Sequence, residues 1–379
     1  MKKKLLMVVS FFLAFSFFPV SLLQHEHEGR IRLGQTKAES FTPVTTGVKN
    51  ETNQENKELA TRLDTYVKKQ LAMDNFHGTV LVASGDTILL KRGYGYADGK
   101  KKIPNAPNQK FAIGSLTKAF TAMAILQLHE QHLLDINQPI ERFFPDYPFA
   151  KEVTIHHLLT HSSGLPRNRG SKEYEELTLL YPPGTGQNYS NEGYILLGKI
   201  IEQVSGMSYG DYITTHIFKP LHMDDSGFDL SRRRVLNKAS GHKKIQGVWV
   251  ALGMDYGSRF SSGGLYSTVE DLYKWDRALY TGKLVSEPLR KRMFTPQMKE
   301  YGYGWHIQKE ADRIIAEHGG YVLGYSAEIV RDMTSKSVVI LLSNHGDTGM
   351  KEMAETMLEM VEEAKQTSPE KGAEKKPIL

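Results

Sequence analysis

Phe111-Ala-Ile-Gly-Ser115-Leu-Thr-Lys118-Ala-Phe-Thr-Ala-Met-Ala-Ile-Leu126 leads from a turn into a strongly apolar helical pattern that runs to about Leu134. Ser115 stands at the start of that helix, and Lys118 lies one turn on, on the same face. A serine hydroxyl is a poor nucleophile until a nearby base takes its proton, and a lysine in a dry pocket loses enough basicity to serve. The first turn of a helix also turns unpaired N–H groups towards developing negative charge. The plain alternative is an N-cap serine followed by a surface lysine. The same spacing recurs at Ser240-Gly-His-Lys243, in a polar stretch, and at Ser368-Pro-Glu-Lys371, beside a proline in the tail. Neither opens a buried helix.

Two further motifs follow. Tyr189-Ser-Asn191 comes after the loop-forming run Tyr181-Pro-Pro-Gly-Thr-Gly186 and just before a helix with Tyr194, Leu197, Ile200, Ile201 and Val204 on its apolar face. At the edge of a cleft, a phenol can shuttle a proton, and Asn191 can hold a substrate amide or position Lys118. A packed tyrosine with a turn-stabilising asparagine is the alternative. His318-Gly-Gly320 is expected at the end of a strand over Arg313–Ala316, where paired glycines admit a ligand or a second backbone. The backbone N–H of Tyr321, together with that of Ser115, would then form an oxyanion hole. A glycine bulge with an incidental histidine is the plainer reading.

Around these motifs the periodicity changes. Leu59, Leu63, Tyr66, Val67 and Leu71 predict an amphipathic helix, and Thr79-Val-Leu-Val-Ala83 and Thr87-Ile-Leu-Leu90 predict a hairpin turning at Ser84-Gly-Asp86. The middle of the chain, about 111–299, reads as mainly helical with Gly/Pro-rich loops. Strands return at 303–307, 313–316, 325–330 and 337–342, and a last helix runs from Met350 to about Lys365 with Met350, Met353, Met357, Met360 and Val361 on one stripe. The stripe reads as core packing against a sheet. The expected class is α+β: an antiparallel β-sheet built from both ends of the chain and flanked by terminal helices, with an inserted mainly helical domain and a cleft between them.

Composition sets the wider frame. A chain of 379 residues with 40% hydrophobic content can bury a large core. Lys2, Lys3 and Lys4 before the apolar run Leu5–Leu23 make a signal peptide or signal anchor of residues 1–23, with Thr36-Lys-Ala38 a distant candidate cleavage site. Residues 24–56 read as a polar linker, 57–363 as the catalytic domain and 364–379 as a disordered tail. Zero cysteines exclude disulfides and thiolate metal sites, and fit an exported bacterial protein. The net charge of +5 comes without a basic, aromatic-rich stripe, so no nucleic-acid partner is expected.

In order and context the three motifs resemble those of the serine β-lactamases and penicillin-binding proteins, which carry S-x-x-K, a Tyr or Ser motif ending in Asn, and K-T-G. The Y-x-N form is similar to the class C β-lactamase-like branch, which includes D,D-peptidases, D-aminopeptidases and esterases. Val153-Thr-Ile-His-His-Leu-Leu-Thr-His-Ser-Ser-Gly-Leu165, Pro183-Gly-Thr185, Phe218-Lys-Pro-Leu221 and Ser262-Gly-Gly-Leu-Tyr-Ser267 are similar too, so the resemblance covers roughly 57–362. It implies a β-lactamase/transpeptidase-like fold, with Ser115 as the acylated nucleophile, Lys118 and Tyr189 as the proton-handling pair and Asn191 as the substrate amide contact. His318, Gly319 and Gly320 would stand where the family often has Lys-Thr-Gly. A histidine binds a substrate carboxylate only when protonated, which favours substrates without one. The implied partners are D-alanyl groups of peptidoglycan or teichoic acid, with β-lactams as mimics and action outside the cytoplasm. No cofactor and no metal are implied. A carboxylesterase, or a β-lactam-binding sensor with little turnover, is the alternative function.

Two rival signals fail on context. Gly206-Met-Ser-Tyr-Gly210 matches a lipase elbow around Ser208 but follows a helix, where the elbow needs a strand. His129-Glu-Gln-His132 is one residue short of the spacing that aligns two histidines on zinc. The His25/His27 pair reads as part of the solvated linker.

Overall fold

The computed structural model describes residues 48–229, 235–252, 257–346 and 349–367. The signal or anchor segment, the linker up to residue 47, the His25/His27 pair, Ser368 and the rest of the tail lie outside the described residues. Among those described, no helix is long and apolar enough to cross a membrane.

A six-stranded antiparallel sheet takes two strands from the first part of the chain and four from the last. Helix α1 (Val48–Ala72) precedes β1 (Gly78–Ser84) and β2 (Thr87–Tyr94). After the inserted region, with its helices α2 (Thr117–Glu130), α3 (Asn191–Ser205) and α4 (Val269–Ala278), come β3 (His306–Glu310), β4 (Arg313–Val322), β5 (Tyr325–Asp332), β6 (Ser337–Ser343) and helix α5 (Met350–Thr367). The strand order is β3-β4-β5-β6-β1-β2, so the first strand pairs with the last, Leu81 opposite Ile340 and Val82 opposite Val339.

Both faces of the sheet are covered, so the period of two sorts side chains between two cores rather than between core and water. Leu81, Ala83, Ala327, Ile329, Val338, Ile340 and Leu342 face the inserted region. Their neighbours Val80, Val82, Val330, Val339 and Leu341 face α1 and α5, where Leu59, Leu63, Val67, Met350, Met353, Met357 and Val361 meet them. The methionine stripe is therefore core.

The expected boundaries need correction at several points. Helix α1 begins at Val48, inside the segment read as linker to residue 56; Gln and Glu are good helix formers, and Gln54 donates to Glu58 one turn on (3.0 Å). Helix α5 reaches Thr367, past the expected tail boundary at 364, because Lys365 is tied to Ser337 (2.6 Å) and Glu362 (3.2 Å). Helix α2 stops at Glu130 rather than near Leu134, because His132 takes a left-handed turn at φ 58°. The strand expected at 303–307 starts at His306, since Gly304 turns at φ 76°, where a Cβ would sit 2.8 Å from the Cα of Ala119. Strand β4 continues to Val322, so His318-Gly-Gly320 lies within the strand rather than after it. The inserted region also holds short strands at Gly227–Phe228, His242–Ile245, Val248–Ala251 and Leu265–Ser267.

A wholly buried ion pair joins the two halves. Arg331 on β5 donates from Nε to Asp276 Oδ1 on α4 at 2.7 Å, both side chains being fully buried. The guanidinium also faces the rings of Tyr280, Phe294 and Trp305 at 4.7, 5.0 and 5.5 Å. Removing one partner strands a buried charge. Asp276→Ala is expected to cost about 3–5 kcal/mol of unfolding free energy, read as a lower urea midpoint at unchanged slope. A loss below about 1 kcal/mol would remove the pair from its place as the joint between sheet and insertion.

Candidate active site

Ser115 is set by backbone pairing before it is set by its helix. Phe111–Ala112 pairs with Leu265–Ser267, which pairs in turn with Gly227–Phe228. Ile113 N–H donates to the Leu265 carbonyl at 3.0 Å, and Leu265 N–H donates back to Thr117 Oγ1 at 3.2 Å. A single 3-10 turn, Gly114–Leu116, then carries Ser115 into α2. Ser115 is half-buried, whereas Lys118 is fully buried.

The Lys118 ammonium has three polar neighbours and no carboxylate among the described residues. Its Nζ lies 3.2 Å from Ser115 Oγ, 2.9 Å from Asn191 Oδ1 and 2.7 Å from the Ser262 carbonyl oxygen. The rings of Tyr189 and Tyr194 stand 4.8 and 5.5 Å away. Burial, with the nearby Arg167 guanidinium adding to it, holds the Lys118 pKa well below its ordinary value. A lysine in this state can accept a proton from the hydroxyl beside it.

Tyr189 and Asn191 reach the site from opposite sides of Ser190, which caps α3 by accepting from Gly193 N–H at 3.0 Å. Ser190 is anchored in turn: its N–H donates to His161 Nδ1 (3.1 Å) and its hydroxyl to the Pro166 carbonyl (2.8 Å). Asn191 points its amide NH2 at Asn168 Oδ1 (2.9 Å), leaving its carbonyl oxygen for Lys118. The Tyr189 hydroxyl is buried and completes no hydrogen bond among the described residues. Burial pushes its pKa up to about 12.

His318, Gly319 and Gly320 lie on the free edge of β4, beyond the last residue paired with β3. His318 and Gly320 share the face of Ala316, towards the insertion, and Gly319 shares the opposite face with Glu317. A Cβ on Gly320 would sit 1.9 Å from the Ile113 carbonyl oxygen, so only glycine lets the strand lie against the Ser115 turn. The same approach brings Tyr321 N within 2.8 Å of the Cβ position of Gly114, whose φ is +50°. His318 is buried; its Nδ1 lies 2.7 Å from the Gly319 carbonyl and its Nε2 3.2 Å from Tyr301 Oη. The carbonyl can only accept, so Nδ1 carries the proton and Nε2 accepts from Tyr301. Burial, with His306 and Lys118 nearby, drives the His318 pKa down to about 3. The ring is neutral near pH 7.

Two arginines and a histidine join the site without having been singled out in the sequence. Arg167 lies over the Tyr189 ring at 5.2 Å, the His161 ring packs against Tyr189 at 4.3 Å, tilted by 37°, and Arg259 lines a cavity of about 320 Å³ with Ser115, Asn191 and Ser262. A wider cavity of about 880 Å³, which also includes Ser115 and Arg167, extends along His318 and Gly320 towards Glu317 and Glu328. No spacing rule marks the arginines, since they reach the cleft from segments far apart in the chain. Elsewhere, Asp74, His77 and His345 bring ligand atoms within 4.8 Å of one another. There the two imidazoles stack at 4.0 Å, and Asp74 already accepts from Lys244 and from Trp249 at 2.9 and 2.8 Å, so the group packs as a polar-aromatic cluster.

The decoy serines sit apart from this arrangement. Ser208 caps the short helix Tyr209–Ile213 by accepting from Asp211 N–H (3.2 Å) and follows α3, so the turn joins helix to helix. Ser240 lies in a loop, its N–H bonded to the Ala97 carbonyl (2.7 Å), and Lys243 is exposed.

A family model described as Beta-lactamase matches residues 63–361. Penicillin-binding protein 4* of Bacillus subtilis (strain 168) is 32% identical over 335 residues, covering 76% of this chain and 71% of the relative. The teichoic acid D-alanine hydrolase of Staphylococcus aureus (strain MRSA252) is 29% identical over 270 residues, 67% of each chain. The crystal structure of a penicillin binding protein from Bacillus halodurans aligns with a TM-score of 0.70 at 28% identity, covering 79% of this chain and 99% of that one.

Two buried groups make stability depend on pH in opposite directions. His318 falls from an ordinary 6.5 to about 3, so between those values the unfolded chain binds a proton that the folded one does not, and stability falls with falling pH. Glu328 rises from 4.5 to about 8 through burial and the nearby Glu317, so between those values the folded chain keeps a proton and stability falls with rising pH. Each group contributes up to about 1.4 kcal/mol per pH unit, and the two offset each other where the windows overlap. In melting temperature against pH, His318→Gln is expected to flatten the acid limb and Glu328→Gln the alkaline limb. Unchanged limbs would contradict the burial of these two groups in their neutral forms.

Proposed function

This chain belongs to the Beta-lactamase family and is a serine hydrolase; within that family we propose that it acts outside the cytoplasm on D-alanyl esters or amides of the bacterial cell envelope, through an acyl-Ser115 intermediate. The observation that carries the reading is the buried Lys118 amine, its basicity lowered by burial and with no carboxylate partner among the described residues, 3.2 Å from Ser115 Oγ. Ser115 Oγ attacks the acyl carbonyl while its proton passes to Lys118, and the N–H groups of Ser115 and Tyr321 receive the oxyanion. The C–O or C–N bond then breaks as Tyr189, re-protonated from Lys118, gives the leaving group its proton. Water attacks the acyl-enzyme by the same route in reverse. Asn191 holds Lys118 in place and faces the substrate amide.

A D-alanyl substrate is favoured by the relative whose name states that activity. The neutral His318 disfavours substrates that need a cation at that position to hold a carboxylate. The lysine-rich, apolar N-terminus supports export.

Ser115→Ala and Lys118→Ala are each expected to reduce D-alanine release from D-alanylated teichoic acid by a factor on the order of a thousand or more, with Ser208→Ala and Ser240→Ala within about twofold of wild type. Release retained in Ser115→Ala would overturn the assignment. Intact mass after penicillin treatment separates the alternatives: a Ser115-dependent adduct that persists, without D-alanine release, identifies a sensor. Because the base works when neutral, kcat/KM should rise with pH along a limb below the ordinary lysine range. Arg167→Gln removes a repelling charge, so the limb should move to higher pH.

A further inference from the structure

Next to Ser115 the protein keeps two guanidinium groups that no carboxylate among the described residues neutralises. Arg167 and Arg259 are exposed, both line the cavity of about 320 Å³ that opens on Ser115, and neither pairs with a carboxylate among the described residues. The nearby Arg169 shows the contrast, since it is matched by Glu173 and Glu192. The cavity is lined by no acidic residue among those described, and its remaining polar groups are Ser115, Asn168, Asn191, Ser262 and Tyr321. Like charges beside a buried lysine repel one another and disfavour the empty site, a cost relieved when an anion enters.

Both arginines stand on backbone that also holds the candidate catalytic groups. The Arg167 carbonyl accepts from Asn191 N–H at 2.9 Å, and its guanidinium rests on the Tyr189 ring at 5.2 Å. The Arg259 carbonyl accepts from Ser262 Oγ at 2.7 Å, and Ser262 supplies the carbonyl that binds Lys118. The backbone at both positions is thus held by the same contacts that hold the candidate catalytic groups. Meanwhile His318 is neutral and buried, so the cation the resemblance would place at that motif is missing.

We infer that Arg167 and Arg259 form an anion subsite beside Ser115, which receives an oxyanion carried on the leaving group of the ester. Two guanidinium forks suit a phosphate, whose several oxygens each accept a charge-assisted hydrogen bond, and an alcohol that also carries a phosphate is the leaving group of a D-alanylated polyol phosphate. A carboxylate-bearing leaving group offers the same chemistry with fewer acceptors. This inference rests on the Ser115 acyl-enzyme reading for its place in the reaction, though not for the binding of the anion.

The test compares three D-alanyl esters on the full chain: of glycerol, of glycerol phosphate and of glyceric acid. Wild type is expected to favour an anionic ester over the neutral one by at least about tenfold in kcat/KM, with the advantage shrinking as salt is added. In Arg167→Gln, Arg259→Gln and the double variant, the ratio of anionic to neutral kcat/KM should fall towards one, with partial recovery in the Arg→Lys variants. The better of the two anionic esters names the source, phosphate or carboxylate. Equal kcat/KM for all three esters in wild type, or a ratio unmoved in the double variant, would overturn the subsite. If none of the esters is turned over, the proposed function fails, and the subsite is decided separately by binding of glycerol phosphate followed by NMR: retention in wild type and loss in the double variant supports it, and absence from wild type removes it.

Discussion

A buried lysine with no counter-charge among the described residues is the constraint around which the rest of this site is arranged. Taking an ammonium out of water costs several kcal/mol even after relaxation, and at Lys118 no carboxylate among the described residues offsets that cost. The protein instead supplies a hydroxyl, an amide oxygen and a main-chain carbonyl, and lets the pKa fall. Those three acceptors come from three separate parts of the chain. Each must be held rigidly, which accounts for the cap by Ser190 at the start of α3 and for the turn before Ser262, where Phe260 adopts φ 46° and ψ −138°.

The second requirement is that two backbones meet at the edge of the sheet. Strand β4 can lie against the turn that carries Ser115 only because Gly320 has no Cβ to strike the Ile113 carbonyl. That approach brings the Tyr321 amide to the mouth of the site, while the buried Arg331–Asp276 pair fixes the insertion to the sheet some distance away. Geometry at Ser115 therefore depends on the packing of the whole insertion, and not on α2 alone. The charges around the cleft follow the same division, with Arg167 and Arg259 on the side of the insertion and carboxylates towards the terminal helices.

Much of this was legible in the residues. The continuous apolar runs at 79–83 and 337–342 mark strands buried on both faces, and the stripe from Met350 to Val361 marks a helix lying on them, because a helix buried along one side leaves a period in the chain. Ser115 and Lys118 were legible for a related reason: three residues of helix bring them together with no help from the rest of the fold. The limits of α1, α5 and β4 were less so. Polar helix formers at 48–56 carry no apolar period, and a Gly-Gly pair looks like a stop until the neighbour it makes room for is known.

By itself, the sequence determined the local chemistry: a serine and a base one helical turn apart, a tyrosine and an asparagine at a loop edge, a glycine pair where bulk is not tolerated, and a family whose order of motifs this chain shares. Only the tertiary structure decided which groups charge that chemistry. The Ser262 carbonyl on Lys118, the neutral state of His318 and the convergence of Arg167 with Arg259 all depend on contacts between residues distant in the chain. Burial and electrostatic coupling act through space, and residue spacing records neither.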